Sequence, residues 1–109
     1  METALKAIAE PRRLEILKLI WNQELSAGEI AQQFTVTRPA ISQHLKVLEV
    51  AGLVRVRKMG VRRFYRARPD KLAELRRYLE EFWTTGLERL AAAAEAEERR
   101  LRAHDDPAR

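Results

Sequence analysis

Apolar residues recur at three-and-four spacing through most of the chain, which predicts a mainly helical protein interrupted once by a stretch of strict alternation. Over Ala4 to Ala9, Leu5, Ile8 and Ala9 turn one side of a short helix inward. That helix stops ahead of Pro11, because the residue before a proline is pushed out of helical geometry. Pro11 then opens a second helix over Arg12 to Asn22. Its Leu14, Ile16, Leu17, Leu19, Ile20 and Trp21 make an apolar face broad enough to support a three-helix core. Ser26 with Glu29 three residues on is a capping box, and it starts a third helix, Ser26 to Phe34, that turns Ile30, Ala31 and Phe34 to the core. The connection Thr35-Val36 is brief, so the third helix and the next make a helix-turn-helix.

The fourth helix, Thr37 to Gly52, has two distinct faces. Ala40, Ile41, Leu45, Leu48 and Ala51 share one side, and Arg38, Ser42, Gln43 and Lys46 share the other. Thr37 is the N-cap, Pro39 sits in the first turn where its missing N–H costs nothing, and Gly52 is the stop. After it the period changes from helical to alternating. Leu53, Val54 and Val56 interleave with Arg55 and Arg57, Met59-Gly60 turns the chain, and Val61 to Ala67 returns with Phe64 and Tyr65. Met59 suits a tight two-residue turn poorly, so a longer loop around Gly60 is expected.

Pro69-Asp70 opens the last helix, with Asp70 at or near its cap. Leu72, Leu75, Leu79, Phe82, Trp83, Leu87 and Leu90 then follow helical spacing, and an alanine-rich stretch of high helix propensity continues it. This helix is longer than a small domain can cover, so its apolar stripe calls for a second surface, most simply the same helix of another copy. Gly86 within it fits either a close approach or a local bend. Residues 1–102 are read as one domain, the closing helix included, and 103–109, without periodicity, as a disordered tail.

Charge adds a direction to this plan. The chain of 109 residues carries 21 Lys+Arg against 16 Asp+Glu, a formal net charge of +5. Between Thr37 and Arg68 nine basic residues face the single acid Glu49, a surplus of eight that leaves −3 for the rest. A positive block on one contiguous segment suits a polyanion, because each neutralised phosphate releases condensed counterions. Double-stranded nucleic acid is the expected partner.

Taken alone, a polar helix face is ordinary solvated surface. Here it lies between a helix-turn-helix and a basic hairpin, and its side chains have the right chemistry. Arg and Gln make paired hydrogen bonds to guanine and adenine edges, while Ser and Lys suit phosphates or single base contacts. The hairpin, with Lys58, Arg62 and Arg63 near its tip, fits a minor groove or flanking phosphates; a solvated edge that uses charge against aggregation is the plainer alternative. Arg12 and Arg13 oppose the dipole at their helix start, so they are either phosphate contacts or simply exposed.

Other chemistries find little support. The chain has no cysteine, which excludes disulfides, thiolate metal sites and cysteine nucleophiles. No apolar run approaches the roughly 20 residues of a membrane span, and the chain opens on an acid, so a cytoplasmic, membrane-free protein is expected. Paired catalytic carboxylates, a Ser/His/Asp set and a phosphate-cradling glycine loop are all lacking, so no enzyme and no cofactor are expected.

Helices, a basic hairpin and a long closing helix describe a mainly α, winged helix-turn-helix fold with a small β-hairpin. The segments LKAIAEPRRLEILKLI, ELSAGEIAQQF, TRPAISQHLKVLEVAGLV and GVRRFYRA resemble those of the ArsR/SmtB repressors from Leu5 to Leu90, with SQHLKVLEVAGLV the most specific part. The resemblance implies a homodimer on a palindromic operator, clasped through the long C-terminal helix and the N-terminal helix. Leu5, Leu79, Phe82, Trp83, Leu87 and Leu90 would form that interface. Thr37, Arg38, Ser42 and Gln43 would face bases. Lys46 and the wing residues Arg55, Arg57, Lys58, Arg62 and Arg63 would face the backbone, with His44 partly packed and phosphate-facing.

The departures from the family pattern bear on metal. In the family's thiolate sensors a cysteine pair occupies the positions held here by Ser26 and Gly28. From Asp70 to Leu101 there is no histidine, and His104 falls in the tail, so the donors a zinc-type site needs are missing. A repressor without a metal effector is expected. The alternatives are a winged-helix module for protein contact, or a sensor of an unidentified ligand.

Overall fold

Three of the five helices begin where a side chain accepts from one of their orphan N–H groups. A computed structural model describes residues 1–105, in the order α1 (Glu2–Ile8), α2 (Pro11–Leu19), β1 (Leu25–Ser26), α3 (Ala27–Ala31), α4 (Arg38–Val50), β2 (Val54–Met59), β3 (Arg62–Ala67) and α5 (Pro69–Asp105). Glu10 caps α2 by accepting from the Arg13 N–H at 2.8 Å. Ser26 and Glu29 form the reciprocal capping box of α3. Thr37 caps α4 through the Ala40 N–H.

The end of α4 is as specific as its start. Gly52 takes φ +76°, its N–H donates to the Glu49 carbonyl, and the Leu53 N–H reaches back to the Leu48 carbonyl. This is a Schellman motif, and its usual apolar pair is present, since Leu48 and Leu53 are both buried. The turn that stops α4 therefore also anchors the start of the wing. The Arg68 N–H donates to the Leu53 carbonyl, and the Ala67 N–H to that of Ile20, which ties the end of the sheet to α4 and α2.

By packing, the chain divides into a unit of residues 1–75 and a second unit from residue 76 onward. Ala7, Ile16, Leu17, Ile20, Ile30, Ile41, Leu45, Leu48, Leu53, Val54, Tyr65, Ala67 and Leu75 form the core of the first. In the second unit the side chains of Phe82, Trp83, Leu87 and Leu90 are exposed, and the rings of Phe82 and Trp83 meet edge-on with centroids 5.9 Å apart.

Several expectations need correction. The sheet is three-stranded and antiparallel in the order β1-β3-β2, with Leu25 opposite Tyr65 and Ser26 opposite Phe64, rather than a lone hairpin. Met59 pairs with Arg62, so the wing turns on two residues, not a longer loop. Gly60 takes φ +61° and Val61 stays at negative φ, as in a II′ turn; glycine at the first central position is what permits it. Helix α1 spans Glu2–Ile8, and Ala7, not the exposed Ala9, is its buried residue. Helix α2 ends at Leu19, which leaves Trp21 outside it, and Leu14 and Trp21 are 41% and 51% exposed. Helix α3 is five residues long, so the connection to α4 is longer than Thr35-Val36. Ala103, His104 and Asp105 continue α5 where a tail was expected; residues 106–109 of that tail lie outside the described ones. No helix among the described residues is long and apolar enough to cross a membrane.

Candidate nucleic-acid interface

The candidate interface is built on the outward side of α4, whose inward side is locked by Ile41, Leu45 and Leu48, each fully buried. A helix fixed on one face presents the other in one orientation. Arg38, Ser42 and Lys46, each four residues after the last, form an exposed stripe, with Gln43 exposed beside it. Among the described residues the side chains of Arg38, Gln43 and Lys46 have no hydrogen-bonded or ionic partner. Thr37 is exposed too, and its oxygen already accepts from the Ala40 N–H, which leaves its hydroxyl proton and one lone pair available. His44 is half-buried, its Nδ1 3.4 Å from Arg13 Nη1 and 3.8 Å from Glu10 Oε2.

The wing faces the same space. A groove of about 630 Å³ is lined by Arg38, Ser42 and Lys46 from α4, by Arg62 and Arg63 from β3, and by Gly28 and Glu29 from α3. A Cβ on Gly28 would lie 3.7 Å from Arg38 Cζ, so the guanidinium rests close over the glycine. The stripe and the wing are thus walls of one groove in which four cationic side chains outnumber the carboxylates of Glu29 and Glu49 that also line it.

The wing cations are not equivalent. Arg55, Lys58 and Arg63 are exposed, and among the described residues their side chains make no hydrogen bond or ion pair. Arg62 lies 3.7 Å from Glu29 and 4.9 Å from the Phe64 ring centroid. Arg57 is already paired: its Nη2 and Nε reach the Glu24 carboxylate at 2.7 and 3.0 Å, and its guanidinium lies 4.9 Å from the same Phe64 ring. The hydrogen bond from Arg57 holds the Glu24 carboxyl below its ordinary value, and Glu24 in turn raises Arg57. Glu29 is also lowered, first by the Ser26 backbone N–H of the capping box.

The Glu24 shift has a measurable sign. A carboxyl that titrates lower folded than unfolded stabilises fully above its ordinary value near 4.5, and that stabilisation is lost as pH falls through the depressed value. Arg57→Ala should therefore make the thermal midpoint less sensitive to pH below about 4.5. An unchanged acid limb in calorimetry would show that the pair does not exist in solution.

Sequence reading missed Glu24, which lies 33 residues from Arg57, and it missed the contacts that Arg13 makes. Neither pairing has a periodic signature. Leu25–Ser26 is too short a strand to alternate visibly. Among the described residues no three His, Cys, Asp or Glu side chains gather as a metal site requires.

A capped helix with an exposed polar face, set against a basic three-stranded wing, defines a winged helix-turn-helix DNA-binding protein. Residues 10–56 match the sequence profile of the bacterial regulatory proteins of the arsR family. The HTH-type transcriptional regulator Rv2034 of Mycobacterium tuberculosis is 42% identical over 96 residues, covering 88% of this chain and 90% of that protein. The transcriptional repressor SdpR of Bacillus subtilis is 37% identical over 60 residues, 55% of this chain and 67% of its own. A crystal structure described as a possible transcriptional regulator for arsenical resistance superposes with a TM-score of 0.72 at 41% identity, covering 85% of this chain and 96% of that one. The chain belongs to the arsR family and is a DNA-binding transcriptional regulator.

Proposed function

We propose that the protein is a homodimeric repressor that binds a palindromic operator in the cytoplasm, needs no metal effector and performs no catalysis. One observation carries the reading: the exposed stripe of α4 and the wing arginines Arg62 and Arg63 line the same groove. In this assignment Arg38, Ser42, Gln43 and the Thr37 hydroxyl read bases. Lys46, Arg55, Lys58, Arg62 and Arg63 neutralise phosphates, which set register but carry no sequence information. Arg57, occupied by Glu24, serves the backbone contact indirectly by bracing β2. Leu5 and the stripe of Leu79, Phe82, Trp83, Leu87 and Leu90 form the dimer interface, and two copies then present their α4 helices to adjacent turns of duplex, about 34–36 Å apart.

Selection of bound duplexes from a random pool tests this directly. The expected result is an inverted repeat with half-sites one turn apart; a single, unrepeated site would remove the dimeric reading. With that operator in hand, Gln43→Ala should cost about 1–3 kcal/mol of discrimination at one base pair per half-site. Arg63→Ala should weaken every duplex alike and reduce the salt slope by about 1 per protomer. Equal losses on operator and random DNA for Gln43→Ala would mean that the reading face is misassigned.

A further inference from the structure

Apolar packing holds α4 from behind, and one polar side chain joins it there. Arg13, in the first turn of α2, turns back onto the end of α1. Its Nε donates to the Ala7 carbonyl and its Nη2 to the Lys6 carbonyl at 3.2 Å. The need for the first bond is visible in the sequence. In a continuing helix the Ala7 carbonyl would accept from the residue four further on, but that residue is Pro11, which has no N–H. Ala7 is buried, so its carbonyl cannot rely on water. Arg13 supplies the missing donor.

The same guanidinium reaches a third element. Its Nη1 lies 3.4 Å from Nδ1 of His44, the residue that follows Gln43 on α4. The Glu10 carboxylate, which accepts from the Arg13 backbone N–H at 2.8 Å, lies 3.8 Å from the same Nδ1. Burial pushes the Glu10 carboxyl up, but the backbone N–H groups of Arg13 and Arg12, joined by the Arg13 charge, outweigh it and lower the group, so it remains an anion beside Arg13. A guanidinium has only donors, so a bond to Nδ1 requires the ring to offer its lone pair there and to carry its proton on Nε2.

We propose that Arg13 is a positioning residue for base reading: it clamps the end of α1 to His44, and thereby sets the angle at which Ser42 and Gln43 meet DNA. The inference rests on the operator reading above and deepens it. It also separates Arg13 from a phosphate contact, which uses charge alone. A lysine retains the charge but offers one flexible ammonium where the guanidinium fork spans the carbonyls and the ring at once.

The test compares the wild type with Arg13→Gln and Arg13→Lys on the selected operator and on random duplex, across a salt series well below the thermal midpoints. Both variants should lose about tenfold in operator-over-random preference while the affinity and salt slope on random DNA stay as in wild type. Full preference in Arg13→Lys, or an equal loss on both duplexes with a flatter slope, would make Arg13 a charge contact and overturn the clamp. A mere loss of stability would lower the midpoint and leave the preference intact, and that too overturns it. Should neither variant fold, the ring ¹⁵N spectrum of wild-type His44 in its neutral form decides: an Nε2–H tautomer is expected, and an Nδ1–H tautomer refutes the Arg13 bond. A wild type with no preferred duplex would defeat the operator reading, and the same spectrum would still judge the clamp.

Discussion

Leu45→Ala should destabilise the first unit by about 2–5 kcal/mol, the range for emptying a fully buried leucine site. Leu45 has 0% exposure and lies on α4 between Ile41 and Leu48, which are equally buried. A domain of this size has only about 5–15 kcal/mol in total, so the variant should melt lower by something like 10 °C or more. Operator binding should fail with it, because the reading stripe has no rigidity of its own. The anchor and the stripe belong to one thirteen-residue helix, which is too short to hold together in water without packing. Thermal denaturation together with binding at low temperature checks both parts. A midpoint within a degree or two of wild type would mean that the core is not organised around α4. Preserved operator preference in a clearly destabilised protein would mean that the reading face is held by something else.

Trp83→Ala should raise the dimer dissociation constant by about thirtyfold to a thousandfold, which corresponds to 2–4 kcal/mol for losing an aromatic anchor at an interface. Phe82 and Trp83 are 61% and 57% exposed in the single chain, and Leu90 is 67% exposed. Trp83, Leu87 and Leu90 follow one another by four and three residues with Phe82 beside them, and so exposed an apolar stripe is what the proposed dimer interface would bury. A dimeric operator also makes binding depend on assembly, so the variant should bind with a steeper dependence on protein concentration while its intrinsic half-site contacts are kept. Sedimentation across a dilution series reads the first effect, and a titration of operator at several protein concentrations reads the second. An unchanged dimer at nanomolar concentration would place the interface elsewhere.

What was legible in the sequence was local. Thr37, Pro39 and Gly52 bound α4 because capping, the proline ring and left-handed φ act within four residues, and the structure shows each device in use. The capping box of Ser26 and Glu29 was readable for the same reason. The lengths of elements were less so. Leu14 and Trp21 match the helical period of α2 yet are exposed, because a period shows which side of a helix is apolar and not how far a core extends to meet it. The connection before α4 and the wing turn were misjudged in opposite directions. Residues 32–36 lack any strong breaker, and at the wing Gly60 accepted the strained position that Met59 would have resisted.

The candidate site divides along the same line. A count of charges shows nine basic residues between Thr37 and Arg68, but not which of them are already spent. Arg57 is bound to Glu24 and Arg13 spans α1 and His44, and both pairings join residues more than 30 positions apart. Arg55, Lys58 and Arg63, indistinguishable from Arg57 by sequence, have no such partner among the described residues.

By itself the sequence determined the helical periods, the caps, the switch to alternation at the wing and the position of the positive block, since all of these depend on neighbours within one or two turns. Only the tertiary structure decided that Leu25 and Ser26 add a third strand, that the stripe and the wing share a groove, and which arginines are occupied. Those outcomes depend on which distant segments come within about 4 Å of one another. The free energy of such contacts is set by packing and desolvation, and neither is written in the spacing of residues along the chain.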